Sequence, residues 1–405
     1  MTAILLLLAL LAVAALASHR ARVAFAVHIA ATPLLVSMGA LLSPRGLGFI
    51  LPSMAQAMTP ALQVATTWLA MLVGLRVSRP SSGLSLPLEV GRTSALALWT
   101  WVIAAVTAWG GINGLRAAGL PVQGLDGDMA LQPVRLGVLC AAMVCGTGLT
   151  FAREAVAHWS LGPRRSRVLF MARHDDAVGA VALALAVFLW PAPETAFSDD
   201  GRLGLLVLIT FGVGIAVAYM LFAGRRVPGQ STDRVALVGL VVAAAGLADA
   251  AGIPGAAVGF LMGWTLAGFG VGHQLLDRTT RATERPVRMV VLVLTGVHLG
   301  LGVGAVLLGL VLAAGRLVAK AIAALALSRK GEPVPVSVVL GSSGVAIPMT
   351  VSLALTRDVP LDHSGLVTAV VMAVGVTDLL ALLLWRETQS TSTTTTTAKP
   401  VESGA

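Results

Sequence analysis

Charge is what this chain has least of. Of its 405 residues only 12% are Asp, Glu, Lys or Arg, against about 25% in an ordinary soluble domain. So little charge cannot cover a water-facing surface of this size, and the composition excludes a soluble globular protein. Cysteine is nearly absent. Cys140 and Cys145 lie in one apolar run, and their helical rise of about 7.5 Å is too long for a disulfide. Lysine is almost missing too: Lys320, Lys330 and Lys399 are the only ones. No metal-ligand cluster, nucleophile elbow or phosphate loop stands out. That argues against an enzyme and against a bound cofactor.

What remains is apolar: 57% of residues are hydrophobic and the mean hydropathy is +0.88. The net charge of +9 would suggest nucleic acid in a soluble protein. Here the arginines fall in short loops between apolar runs, which is a membrane pattern, and no nucleic-acid partner is expected.

At roughly 20 apolar residues per crossing, the chain divides into about thirteen spans: 2–17, 23–42, 60–77, 93–110, 131–152, 168–190, 203–223, 234–249, 255–272, 286–301, 304–325, 335–356 and 365–385. Twelve is the alternative count. The end of the first run, Ala15-Leu16-Ala17-Ser18, resembles a signal-peptide cleavage site. Basic residues follow the run rather than precede it, at Arg20 and Arg22, and this favours a retained helix.

Orientation comes from the loops. Odd-numbered loops and their flanks hold most of the basic residues, including Arg164, Arg165, Arg167, Arg225, Arg226, Arg278, Arg281, Arg285 and Arg288. Even-numbered loops hold Arg45, Arg116, Arg202 and Arg357. The positive-inside rule then places the N-terminus outside and the C-terminus in the cytoplasm. Residues 1–386 read as one transmembrane domain in a cell inner or plasma membrane. Residues 387–405, rich in threonine, read as a disordered cytoplasmic tail.

Ionisable residues inside spans are expensive, at about 2.5–3.5 kcal/mol each by insertion scales, and mark function by default. Asp175 and Asp176 sit about 10 Å inside span six, at 1.5 Å per residue. Two adjacent carboxylates there cannot both ionise without a cationic partner. Exchange of a small hard cation for a proton needs such oxygen ligands. Arg316 and Lys320 are four apart in span eleven and share a helix face; either can neutralise an aspartate, and Lys320 can instead snorkel. His174 is a candidate proton relay or a packed, hydrogen-bonded histidine. Asp378, His298 and Asp249 are further acids and bases in or beside spans.

Two spans carry breaks of small polar residues. Span five contains Cys145-Gly146-Thr147-Gly148-Leu149-Thr150, and span twelve contains Gly341-Ser342-Ser343-Gly344 before Pro348. They lie seven spans apart. A weaker echo at the same offset relates Leu72-Val73-Gly74-Leu75 of span three to Leu294-Thr295-Gly296-Val297 of span ten. An odd offset inverts the second copy in the membrane, and inverted repeats with broken helices are the mark of secondary transporters.

These residues resemble the monovalent cation:proton antiporter superfamily, which includes the bacterial sodium/proton antiporters. The resemblance covers nearly the whole chain. It runs through Gly39–Gly48, the apolar stretch Trp68–Leu75, His174-Asp175-Asp176-Ala177-Val178-Gly179, Gly252–Gly263 and the basic helix Arg316–Arg329. It implies an all-α membrane fold of two inverted five-helix repeats whose discontinuous helices, spans five and twelve, cross. It further implies a homodimer and alternating access by an elevator-like motion. Asp176 is then the cation and proton carrier, and Asp175 pairs with a base of span eleven, Arg316 ahead of Lys320. Thr147 belongs to the ion site, with His174, Ser342, Ser343 and Asp378 as accessory candidates. Physics alone allows the two aspartates to exchange roles. The chain departs from the family pattern at Ser78, where an acid is usual, and at Ser342-Ser343-Gly344, where Pro-Arg-Gly is frequent. The implied function is exchange of Na+ or K+ for protons. The alternative is a transport-inactive membrane sensor or assembly subunit with the same fold.

Overall fold

The computed structural model describes residues 25–44, 46–77, 87–120, 122, 140, 146, 152, 164–188, 211–218, 231–251, 253–268, 273–300, 302–328, 334, 336–341, 347, 350–352 and 364–396. Span one, most of span five, and Thr147, Ser342 and Ser343 lie outside the described residues. Among the described residues the secondary structure is helical, without strands. That is what a bilayer requires of a chain that does not close into a barrel, because a helix satisfies its own backbone.

In chain order the helices are α1 (Phe25–Leu42), α2 (Pro52–Val77), α3 (Pro87–Ala117), α4 (Arg164–Phe188), α5 (Ser231–Ala250), α6 (Gly255–Gly268), α7 (His273–Val297), α8 (Val303–Leu327), α9 (Val336–Leu340) and α10 (Ser364–Thr396). Three stretches among the described residues are long and apolar enough to cross a membrane: Pro52–Arg76, Gly91–Ala117 and Val303–Leu327. Apolar side chains on their outer faces stay uncovered, among them Trp99, Val106 and Trp109 on α3 and Val318 and Leu325 on α8. In water such a band is a liability; in lipid it is the ordinary surface.

Two helices differ from the hydropathy reading. α7 starts at His273, well before the apolar run that begins at 286, because hydropathy marks lipid contact and not helicity. Its polar first half continues into the membrane half through Pro286. α10 runs on to Thr396, so residues 387–396 of the expected disordered tail are helical. Extending an existing helix avoids the nucleation cost that a free segment pays.

The helices sort into two bundles. α1, α2, α5, α6 and α7 pack with one another, chiefly as the pairs α2·α6 and α1·α7. α3, α4, α8, α9 and α10 form the second set, chiefly as α8·α10, α8·α3 and α3·α4. Among the described residues the two sets meet at α1·α10, α2·α4 and α6·α4, and one hydrophobic cluster runs from α2, α6 and α7 into α3, α8 and α10.

Close backbone approach holds the first bundle. Gly255, Gly259 and Gly263 recur every fourth residue on one face of α6. A Cβ added to Gly259 would fall on the Thr67 carbonyl, and one on Gly263 would fall on the Met71 carbonyl. From the other side, Gly74 of α2 lies against the Phe260 carbonyl. The α1·α7 crossing repeats the device, with Gly39 against Val293 and Gly296 against Val36. Lipid gives apolar helices no hydrophobic reason to associate, so small residues that permit dense packing supply the attraction.

Candidate functional site

The site lies in the second bundle. Five charged side chains are buried among the described residues: Asp175, Asp176, Arg316, Lys320 and Asp378. They come from three helices. α4 carries the two aspartates without a break in its helix, α8 carries both bases one turn apart, and α10 carries Asp378. α8 packs on α10. Asp378 is buried on α10 between Met372, which meets Gly309 of α8, and Ala381, which shares a cluster with Ala323 and Ala324 of α8.

Lys320 Nζ donates to Asp175 Oδ2, with 0% and 1% of the two side chains exposed. This overturns two expectations: Arg316 was the favoured partner of Asp175, and Lys320 was a candidate to snorkel. Arg316 does different work. Its Nη2 donates to the carbonyls of Gly146 and Gly341, both at 2.9 Å, and lies 3.4 Å from that of Leu340. The reason is geometric. Lysine is a point charge suited to one carboxylate, whereas the forked guanidinium can serve several acceptors at once. The last carbonyls of a helix lack intrahelical partners and carry partial negative charge. α9 ends at Leu340, beside Gly341, and Arg316 satisfies that end while reaching Gly146 of span five. Gly146 and Gly341, from the two Gly-rich breaks seven spans apart in the sequence, thus meet on one nitrogen atom.

His174 is half-buried. Its Nδ1 lies 3.0 Å from the Phe170 carbonyl, and its ring packs on Phe170 at 4.0 Å between centroids. Of its two readings, packing is the one with contacts. Asp249, at the end of α5, accepts a hydrogen bond from Gln63 Nε2 at 3.1 Å. His298 sits in the turn after α7 and is half-buried. Neither joins the charged layer. Thr147, Ser342 and Ser343 lie outside the described residues, although their neighbours Gly146 and Gly341 are at the Arg316 guanidinium.

Several polar contacts escaped the sequence reading. Arg76 forms a two-bond ion pair with Glu284, one bond at 2.8 Å, and Trp68 Nε1 donates to Thr283 at 3.1 Å, so the polar half of α7 is fastened to α2. Buried hydroxyls of Ser352 and Thr368 bond to backbone far away in the chain. An Arg near a span end and a hydroxyl within an apolar run carry no signal of a distant partner.

The described residues define an all-helical membrane protein, and its fold is similar to that of a solved antiporter. The solved sodium proton antiporter MjNhaP1 from Methanocaldococcus jannaschii, at pH 8, is similar to this chain with a TM-score of 0.62 and 17% sequence identity. The match covers 95% of this chain and 96% of that one. No protein-family model and no curated protein sequence matches the chain.

Proposed function

We propose that this protein is a secondary antiporter that exchanges a monovalent cation, Na+ or K+, for protons across a cell inner membrane. The observation that carries the reading is the charge balance of the buried layer. Among the described residues it holds three carboxylates, Asp175, Asp176 and Asp378, and two bases, Arg316 and Lys320. With both bases charged, one further positive charge makes the layer neutral. A buried layer pays heavily for net charge, so a proton or a small cation is the natural occupant. Competition between the two for one carboxylate couples their movements.

In this reading Asp176 is the carrier. The resemblance to the cation:proton antiporters gives Asp176 this role, and Asp175 the ion pair, which it makes with Lys320. Asp378 is the third buried acid. Thr147, Ser342 and Ser343 are the further oxygen ligands that the sequence offers for the ion. No covalent chemistry and no cofactor are required.

The helix contacts support inverted repeats of spans two to six and nine to thirteen. Shifting by seven spans turns α2·α6 into α7·α1, and turns α3·α4 into α8·α10. Both members of each exchanged pair are found as intimate contacts. Gly74 and Gly296, the centres of the sequence echo, are crossing glycines in the exchanged pairs α2·α6 and α7·α1. The likeness to a sodium proton antiporter over nearly the full chain agrees. We further read the working unit as a homodimer of about thirteen-span protomers.

A binding measurement tests this. A ligand that binds the folded state alone raises stability by RT ln(1 + [L]/Kd), about 2.7 kcal/mol at 100 Kd. Sodium or potassium should therefore raise the melting temperature of the detergent-solubilised protein, and more so at high pH, where fewer protons compete. Asp176→Asn should lose the increment. Equal melting temperatures with and without each cation across the pH range would contradict a cation site.

A further inference from the structure

Two buried hydroxyls join the halves of the molecule away from the charged layer. Ser352 Oγ accepts the N–H of Ala256 at 3.0 Å, 96 residues away in the chain. Ala256 is the second residue of α6, in the first bundle. The opening amides of a helix have no intrahelical acceptor, and a side chain just before the helix ordinarily caps them. Pro254 precedes α6 and Gly255 opens it, and neither has a side-chain acceptor. Span twelve supplies the cap instead, from the same span whose inner part, α9, belongs to the second bundle. The second tie is Thr368 of α10. Its Oγ1 donates to the Gly300 carbonyl at 2.9 Å and accepts the Gly300 N–H at 3.1 Å. Gly300 lies in the link from α7 to α8, where the chain passes from the first bundle to the second.

Both ties fall at the end of the molecule opposite the basic loops. α2 carries Arg76, paired with Glu284, at its inner end and Gln63, bonded to Asp249, towards its outer end. α6 begins beside that outer end, with Gly255 against Thr67. A cavity of about 960 Å³, lined by Ser37, Leu41, Gly302, Met372, Gly375 and Leu379 among others, opens between α1, the α7–α8 link and α10.

We propose that Ser352 is a positioning residue that latches the outer side shut, and that its bond to the Ala256 amide breaks each time the ion site opens outward. Thr368 holds the α7–α8 link as the pivot and keeps its bonds throughout. This rests on the exchange reading. A helix cap borrowed from the opposite bundle is strong enough to bias a closed state and weak enough to release. Its loss also exposes one amide that water can satisfy once the cleft opens.

The test uses a cross-link in the full chain with Cys140→Ala and Cys145→Ala as background. An amide-to-hydroxyl distance of 3.0 Å brings the two Cα atoms within the span of a disulfide, about 4.4–6.8 Å. In proteoliposomes the oxidised Ala256→Cys/Ser352→Cys protein should lose cation-coupled proton movement and regain it on reduction. Exchange by the oxidised protein at the reduced rate would overturn the latch. No exchange in the parent background would instead overturn the antiport reading. The latch is then decided by labelling a Thr66→Cys reporter with a membrane-impermeant maleimide from outside. That labelling should be faster with Ser352→Ala than with Ser352, and equal rates refute the latch. Where exchange is present, Ser352→Ala should lower the KM for externally supplied cation about 2- to 10-fold, the factor one net hydrogen bond represents on a minor outward-open state. A lowered melting temperature with unchanged external KM would mean a structural cap and nothing more.

Discussion

Asp175 and Asp176 are neighbours in sequence and differ in surroundings, because a helix turns by about 100° between them. Asp175 meets Lys320 inside the second bundle, and removing one partner of such a buried pair leaves the other charge uncompensated. We expect Lys320→Met to destabilise the protein by about 3–5 kcal/mol. Adding Asp175→Asn to it should recover part of the loss, as coupled neighbours do in a double-mutant cycle. Melting of the four proteins in detergent measures this; strictly additive losses would mean that the pair contributes nothing jointly. The acids were legible in the sequence because a carboxylate in an apolar run is costly and therefore conspicuous. The division of labour between Arg316 and Lys320 was not. Their positions differ by one turn, and a hydropathy reading places a span to within a few residues, so depth alone could not choose between them. The choice depends on where the carbonyls of Gly146 and Gly341 converge, which no local pattern records. Ser352 was equally hidden, since a serine within a helix by default returns its bond to its own backbone.

At the scale of elements, glycines sort into those that let helices cross and those that do not. Gly259 and Gly263 of α6 face backbone carbonyls of α2, whereas a Cβ on Gly246 of α5 meets nothing within 4 Å. Gly259→Leu should force α6 from α2 and cost more than the 1–3 kcal/mol typical of overpacking. Gly246→Ala should be neutral or stabilising by up to about 1 kcal/mol, since alanine is the better helix former. Thermal melting of both variants checks the contrast, and similar effects would contradict the crossing geometry. The spans around these glycines were readable because lipid demands long apolar runs. The early start of α7 at His273 was not readable from hydropathy, because a helix that leaves the bilayer keeps its hydrogen bonds while its side chains turn polar. The Arg76–Glu284 pair and the Trp68–Thr283 bond fasten that polar half to α2.

For the whole molecule, the two bundles and the buried charge layer belong to one account. The first bundle is sewn together by glycine crossings. The second carries five buried charged side chains among the described residues. The sequence shows breaks and echoes seven spans apart but not this division, since span order says nothing about which spans touch. The topology carries its own expectation. A fluorescent protein fused after residue 405 should fold and fluoresce in the cytoplasm, while an alkaline phosphatase fused there should be inactive; the opposite pattern would invert the orientation.

The central claim is that the Asp176 carboxylate alternates between a monovalent cation and a proton. The direct measurement is relaxation of an imposed proton gradient in everted vesicles on addition of sodium, lithium or potassium in turn. The account predicts cation-dependent relaxation with at least one of the three for the wild-type chain, and none for Asp176→Asn present at the same level in the membrane. Cation-dependent relaxation that survives Asp176→Asn undiminished would contradict it.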